Sequence, residues 1–169
     1  MTIGLTDEDL AHLRRCVELA EQALDAGDEP FGSVLVGVDG NVLAEDHNHV
    51  NTSADQTAHP EIALARWAEA NIGDARARSA CTVYTSGEHC PMCAAAHGWV
   101  GLGRIVYVHS SEQLTHWRTE LGLPPSPVKP LPIQQVAPTV MVDGPVDELV
   151  GTMHDLHARY AERARQSRA

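Results

Sequence analysis

The sequence predicts an α/β fold, with one central sheet covered by helices on both faces. Three observations point to it. Apolar residues recur at helical spacing in the first and last stretches of the chain. Two Val- and Leu-rich runs flank an Asp-Gly turn, the mark of an antiparallel hairpin. Beyond them, strand-like runs alternate with helical stretches in the order α-ββ-α-β-α-β-α-β-α, which builds five strands into one sheet between helices. At 169 residues the chain suits one domain, 1–169, with a sizeable core. No repeat or linker divides it.

Thr6 is a helix cap followed by Asp7, Glu8 and Asp9, which suit the positive end of a helix. Leu10, Leu13, Val17, Ala20 and Leu24 give that helix its apolar face, and Gly27 ends it. Phe31–Val38 and Val42–Glu45 are the hairpin strands around Asp39-Gly40. Asn48–Ala58 is polar and turn-rich, hence a loop. Pro60–Asn71 is an Ala-rich helix with proline at its first position, where a missing N–H costs nothing. A strand at Cys81–Thr85, a helix at Pro91–Val100, a strand at Arg104–His109 and a helix at Ser110–Leu121 follow, the last opened by a Ser-Ser cap. Gly122–Ile133 holds five prolines and is expected to be an irregular surface connection. Gln134–Val142 reads as the final strand. Pro145–Gln166 is a long amphipathic helix with Val146, Leu149, Val150, Met153, Leu156 and Tyr160 on one face.

Composition narrows the function classes. Hydrophobic residues make up 43% and charged residues 21%, an ordinary globular balance. No run approaches the roughly 18 apolar residues that span a membrane, so no membrane partner is expected. Met1–Arg15 is acidic and helical in pattern, without the apolar core of a signal peptide. The expectation is a cytoplasmic protein, where thiols stay reduced and a Cys-x-x-Cys pair more often binds metal or does redox work. The formal net charge of −11 repels phosphate backbones and argues against nucleic acid as a partner. Arg76, Arg78 and Arg104 are scattered, and the densest basic stretch, Arg159 to Arg168, closes the last helix, where cations complement the dipole.

The chemistry concentrates in "HPEIALARWAE", His59–Glu69, and "GEHCPMCAAAHGW", Gly87–Trp99. Cys90 and Cys93 sit three apart at a helix start, where they share a face and can chelate one ion. His59 opens another helix. Catalytic zinc takes three protein ligands and keeps a fourth position for water. His59, Cys90 and Cys93 meet that count, and the positive helix ends would stabilise thiolates. Glu61 follows His59 by two residues, close to the metal without having to ligate it, as a general acid/base requires. His-x-Glu and Pro-Cys-x-x-Cys together are the signature of zinc-dependent base deaminases. Here 28 residues separate Glu61 from Cys90.

At these residues the chain resembles the cytidine deaminase-like superfamily, and most of all the branch holding guanine deaminases and tRNA adenosine deaminases. The resemblance runs from about Leu5 to Val108, through "EPFGSVLV", "DQTAHPE", "YTSGEHCPMC" and "RIVY". It implies a three-layer α/β/α sandwich on a five-stranded mixed sheet, a Zn2+ cofactor on His59, Cys90 and Cys93, and Glu61 as proton shuttle. It also implies that Asn48 grips the substrate, that Phe31 and Trp99 line the base pocket, and that the protein is a homodimer. Three departures stand out. Pro60 replaces the usual Ala, whose backbone N–H meets a ring oxygen of the substrate in relatives. His89 replaces a proline. The carboxylate that guanine deaminases carry after the fourth strand has no aligned counterpart, Glu112 and Glu120 being nearest.

The implied activity is hydrolytic deamination of a free amino-substituted nucleobase or related heterocycle, of guanine, aminopyrimidine or triazine type. Its alternatives are a tRNA-specific adenosine deaminase, a cytosine or cytidine deaminase, and a non-catalytic zinc-binding module. Read blandly, Glu61 is a first-turn carboxylate, Asn48 a turn residue, and Phe31 and Trp99 core. His89 is expected to be a loop or supporting residue, and Cys16 and Cys81 buried thiols. His47, His49, His154 and His157 are expected to be solvated.

Overall fold

The computed structural model describes residues 4–167; Met1–Ile3 of the acidic N-terminal segment and Arg168 of the basic stretch lie outside the described residues. The first helix, α1 (Asp7–Ala26), starts where its cap residues dictate. Thr6 Oγ1 accepts from Asp9 N at 3.1 Å and Asp9 Oδ2 accepts from Thr6 N at 2.8 Å, a reciprocal capping box. Gly27, at φ 102°, closes the helix in the left-handed region.

The hairpin follows as β1 (Gly32–Val36) and β2 (Val42–His47), then a one-turn α2 (Val50–Ser53), α3 (Pro60–Asn71), α4 (Ala75–Ser79) and β3 (Thr82–Gly87). The rest of the chain gives α5 (Pro91–Val100), β4 (Arg104–His109), α6 (Ser111–Glu120), α7 (Ile133–Val136), β5 (Val142–Asp143) and α8 (Asp147–Gln166). The strands lie in the order β2-β1-β3-β4-β5. β1 is antiparallel to β2 and β3, whereas β3, β4 and β5 run parallel. The sheet is five-stranded and mixed, as expected.

Alternation along the strands assigns each face. Val34, Val36, Tyr84, Val106 and Val108 point to one side, into a core with Leu13, Leu24, Trp117, Met153 and Leu156 from α1, α6 and α8. Leu35 and Val83 point to the other, against Leu64, Ala65 and Ala68 of α3, and Ile105 and Tyr107 against Ala94 of α5. The three layers are thus α1/α6/α8, sheet, and α3/α5. β1 is buried along its whole length, so its neighbours come close. A Cβ on Gly32 would lie 2.5 Å from Cys16 O and from Leu19 Cβ of α1, which is why that position takes glycine. Among the described residues no helix is long and apolar enough to cross a membrane.

Three expectations need correction. Gln134–Val142 does not form a strand: α7 opens it, Pro138 interrupts it, and only Val142 and Asp143 pair, with Ile105 and Val106. The buried Ile133 anchors this segment under α5 instead. The loop 48–58 contains α2, because the buried Asp28 carboxylate accepts from Asn51 N at 2.6 Å and Thr52 N at 3.0 Å. His157 is not solvated. It is 3% exposed and packs in an aromatic cluster with Phe31, His109 and Trp117.

Candidate active site

Two helix starts and two strand ends meet at one end of the sheet. His59 is the N-cap of α3 and Cys90 the N-cap of α5, each in extended conformation before a proline at the first helical turn. Cys93 lies one turn into α5. Local rules set each helix start, and the packing of α3 and α5 on one face of the sheet brings the three side chains together. His59 Nδ1 is 3.7 Å from Cys90 Sγ and 3.6 Å from Cys93 Sγ. All three donor atoms lie within 4.8 Å of one another. A tetrahedral zinc with Zn–S of about 2.3 Å and Zn–N of about 2.05 Å sets the N···S separation at about 3.6 Å. The donor set and its spacing therefore fit zinc, with three protein ligands.

Burial and mutual contact shift the site's titratable groups in opposite directions. The Cys90 thiol is pulled down to about 4, first by the bond from Cys93 and, against burial, by His59. Cys93 is pushed the other way, because it donates to Cys90 and is buried. His59 is raised by its bond to Cys90, against burial, with help from the Glu61 charge. Glu61, 7% exposed, has its carboxyl raised by burial, a shift that the nearby His59 opposes. Its Oε2 lies 3.7 Å from Cys93 Sγ, and its Oε1 accepts from Thr85 Oγ1 at 3.0 Å.

The other expected residues divide. Asn48 is 2% exposed and joined to the site by the chain around it. Its N–H donates to Phe31 O at 2.9 Å, and the next residue, His49, donates to Ala58 O at 3.0 Å, beside His59. Asn48 Oδ1 accepts from Val50 N at 3.0 Å, which fixes the amide plane. Phe31 is half-buried, 5.1 Å from the His157 ring and 6.1 Å from the His109 ring. Pro60 is buried between ligand and carboxylate. Trp99 is the exception. It is 90% exposed, and nine helical residues beyond Cys90 place it about 13 Å along the axis.

His89 is buried at 1% exposure, its ring 5.4 Å from that of His97. Sequence reasoning missed Glu88. It accepts from Ser111 N at 2.8 Å and from Ile133 N at 3.0 Å, tying α6 and α7 to the motif loop. It missed Thr85 and Ser33 as well, which only strand register reveals.

The model of the cytidine and deoxycytidylate deaminase zinc-binding region matches residues 6–109. A probable cytosine deaminase of Schizosaccharomyces pombe is 36% identical over 110 residues, 65% of this chain and 65% of that protein. The guanine deaminase of Bacillus subtilis is 43% identical over 96 residues, 56% of this chain and 60% of that protein. The match thus spans under two thirds of either relative. Further relatives include tRNA-specific adenosine deaminases. A solved structure of guanine deaminase from Nitrosomonas europaea superposes with a TM-score of 0.72 at 22% identity, over 95% of this chain and 87% of that one, a likeness of fold. The matched span covers more than half of the chain and holds His59, Glu61, Cys90 and Cys93, so the chain belongs to the cytidine and deoxycytidylate deaminase zinc-binding family.

Proposed function

We propose that the protein is a zinc-dependent hydrolytic deaminase of a free amino-substituted nucleobase or related heterocycle, of guanine, aminopyrimidine or triazine type. One observation carries the reading: three donors at zinc spacing with a buried, non-ligating carboxylate beside them. When bound, zinc supplies an activated water as nucleophile. Glu61 would move both protons of that water in turn, the first to the ring nitrogen as the new C–O bond forms and the second to the departing amine. The bond from ring carbon to amino group breaks, a C=O forms at that carbon, and ammonia leaves. Asn48, its carbonyl engaged by Val50 N, has its amide N–H2 to offer the ring, and Phe31 supplies an apolar face.

A non-catalytic zinc module has no use for a carboxylate buried beside the metal site. The tRNA reading is disfavoured by charge. Arg14, Arg15, Arg104, Arg118 and Arg159 each meet a carboxylate at 3.2 Å or less, so these five are not free for phosphates, and the net charge of −11 repels them. The same reading carries a homodimer and a cytoplasmic setting, where ligand thiols stay reduced.

The test is ammonia release from a panel of free bases, nucleosides and an anticodon stem-loop, with wild type and Glu61→Gln. The expected result is turnover of at least one free base, reduced at least about 100-fold in the variant with zinc retained. Equal rates in the two proteins sink the mechanism. Inosine formation in the stem-loop, with no free base turned over, establishes the tRNA reading instead.

A further inference from the structure

We propose that Thr85 and Ser33 are positioning residues, a two-hydroxyl relay across the sheet that fixes the orientation of the Glu61 carboxylate. The proposal rests on the deaminase reading, in which Glu61 moves the proton. Ser33 and Thr85 are direct cross-strand partners of β1 and β3. They stand on the face that elsewhere carries Leu35 and Val83 under α3, so two hydroxyls interrupt an apolar surface. Both are 0% exposed. A buried hydroxyl without a partner is costly, and core packing alone is better served there by alanine and valine. The bonds that satisfy these hydroxyls run in one direction. Ser33 Oγ donates to Thr85 Oγ1 at 2.8 Å, and Thr85 Oγ1 donates to Glu61 Oε1 at 3.0 Å.

The direction follows from chemistry. An ionised carboxylate only accepts, so Thr85 must give it the proton of its hydroxyl. The lone pair left on Thr85 is then the acceptor for Ser33, and that second bond holds the Thr85 rotor on Glu61. Pinning Oε1 leaves Oε2 on the side of the metal ligands, 3.7 Å from Cys93 Sγ. A proton carrier works only when its free oxygen is within bonding reach of the proton it takes. The relay therefore acts on turnover and not on substrate affinity.

The experiment compares Thr85→Val, Thr85→Ser and Ser33→Ala with wild type, all zinc-loaded. Kinetics on the best base give kcat and KM; 13C NMR of δ-labelled glutamate gives the state of the Glu61 carboxylate, its signal assigned as the one lost in Glu61→Gln. Thr85→Val is expected to lower kcat roughly tenfold to hundredfold with KM within about twofold and zinc content unchanged. Thr85→Ser, which restores the hydroxyl, is expected to recover kcat to within about threefold of wild type, and Ser33→Ala to fall between. The Glu61 signal is expected to shift in Thr85→Val and to return in Thr85→Ser. Wild-type kcat in Thr85→Val, a loss confined to KM, or a failure of serine to rescue overturns the relay. An unmoved Glu61 signal overturns it independently of activity. If Thr85→Val does not fold, Ser33→Ala decides: an unmoved signal together with wild-type kcat overturns the relay. A wild type that deaminates no base refutes the deaminase reading, while the NMR comparison still decides whether the relay orients Glu61.

Discussion

Pro60→Ala is the sharpest probe of substrate choice. Pro60 is the first residue of α3, and the first helical bond after it, Ala63 N to His59 O, does not involve its missing N–H. Alanine therefore preserves the helix start and adds one backbone donor between the ligand His59 and Glu61. The stability change is expected to be small, a loss of about 0.4–1 kcal/mol from the freer unfolded chain. The effect on recognition is larger. The family resemblance puts a donor at this position against a ring oxygen. In the native chain a keto oxygen buried there lacks that partner, at a cost of about 1–3 kcal/mol, or roughly 5- to 150-fold in kcat/KM. The assay is kcat/KM for guanine, cytosine and an amino-triazine with both proteins. Pro60→Ala is expected to raise the value for rings that place an acceptor at this point and to leave the others unchanged. Identical ranking and ratios would refute the reasoning, and Pro60 would then be a helix-starting residue alone.

Two further outcomes concern the metal and the acid limb of stability. Cys90→Ala and Cys93→Ala are each expected to lose most of their zinc against about one ion per chain in wild type; elemental analysis checks this, and full retention in both removes the ligand assignment. Asp9 accepts from Thr6 N, Arg104 Nη1 and Tyr84 Oη, and these bonds outweigh the effect of burial and hold its carboxyl at about 2. Its folded value is depressed, so its contribution is fully present above the unfolded value of 3.8 and is lost as pH falls through about 2. Urea unfolding between those limits is expected to show a decline in stability that Asp9→Asn, already less stable at neutral pH, does not share. Parallel curves for the two proteins contradict it.

The long elements were legible because each satisfies its own ends. Thr6 with Asp9, Gly27, Pro60, Pro91 and Ser110 are terminus signals that act within one turn, and the helices begin and end beside them. What failed depended on distant residues. α2 exists because Asp28 lies beneath it, and the segment before β5 is held by Ile133 and Glu88 rather than by pairing. His157 continues the buried stripe of α8, one turn after Met153, yet a histidine there reads as surface until Phe31 and His109 are seen packed against it.

The same division runs through the site. His59, Glu61, Cys90 and Cys93 sit at two helix starts, so motif spacing alone proposes them. Thr85 and Ser33 are neighbours only through strand register, 52 residues apart in sequence, and no local pattern announces them. Trp99 differs from both, near Cys90 in sequence yet carried along the helix axis to an exposed position. The surroundings of Phe31 draw His109 from β4 and His157 from α8, with Trp117 of α6 packed on both histidines. His157 and Trp117 lie beyond the span 6–109 that matches the family. Residues that carry the proposed chemistry therefore lie inside the matched span, whereas the packing behind Phe31 comes partly from α6 and α8, outside it. That is why spacing in the sequence points to a deaminase reading and leaves the ring to be named by experiment.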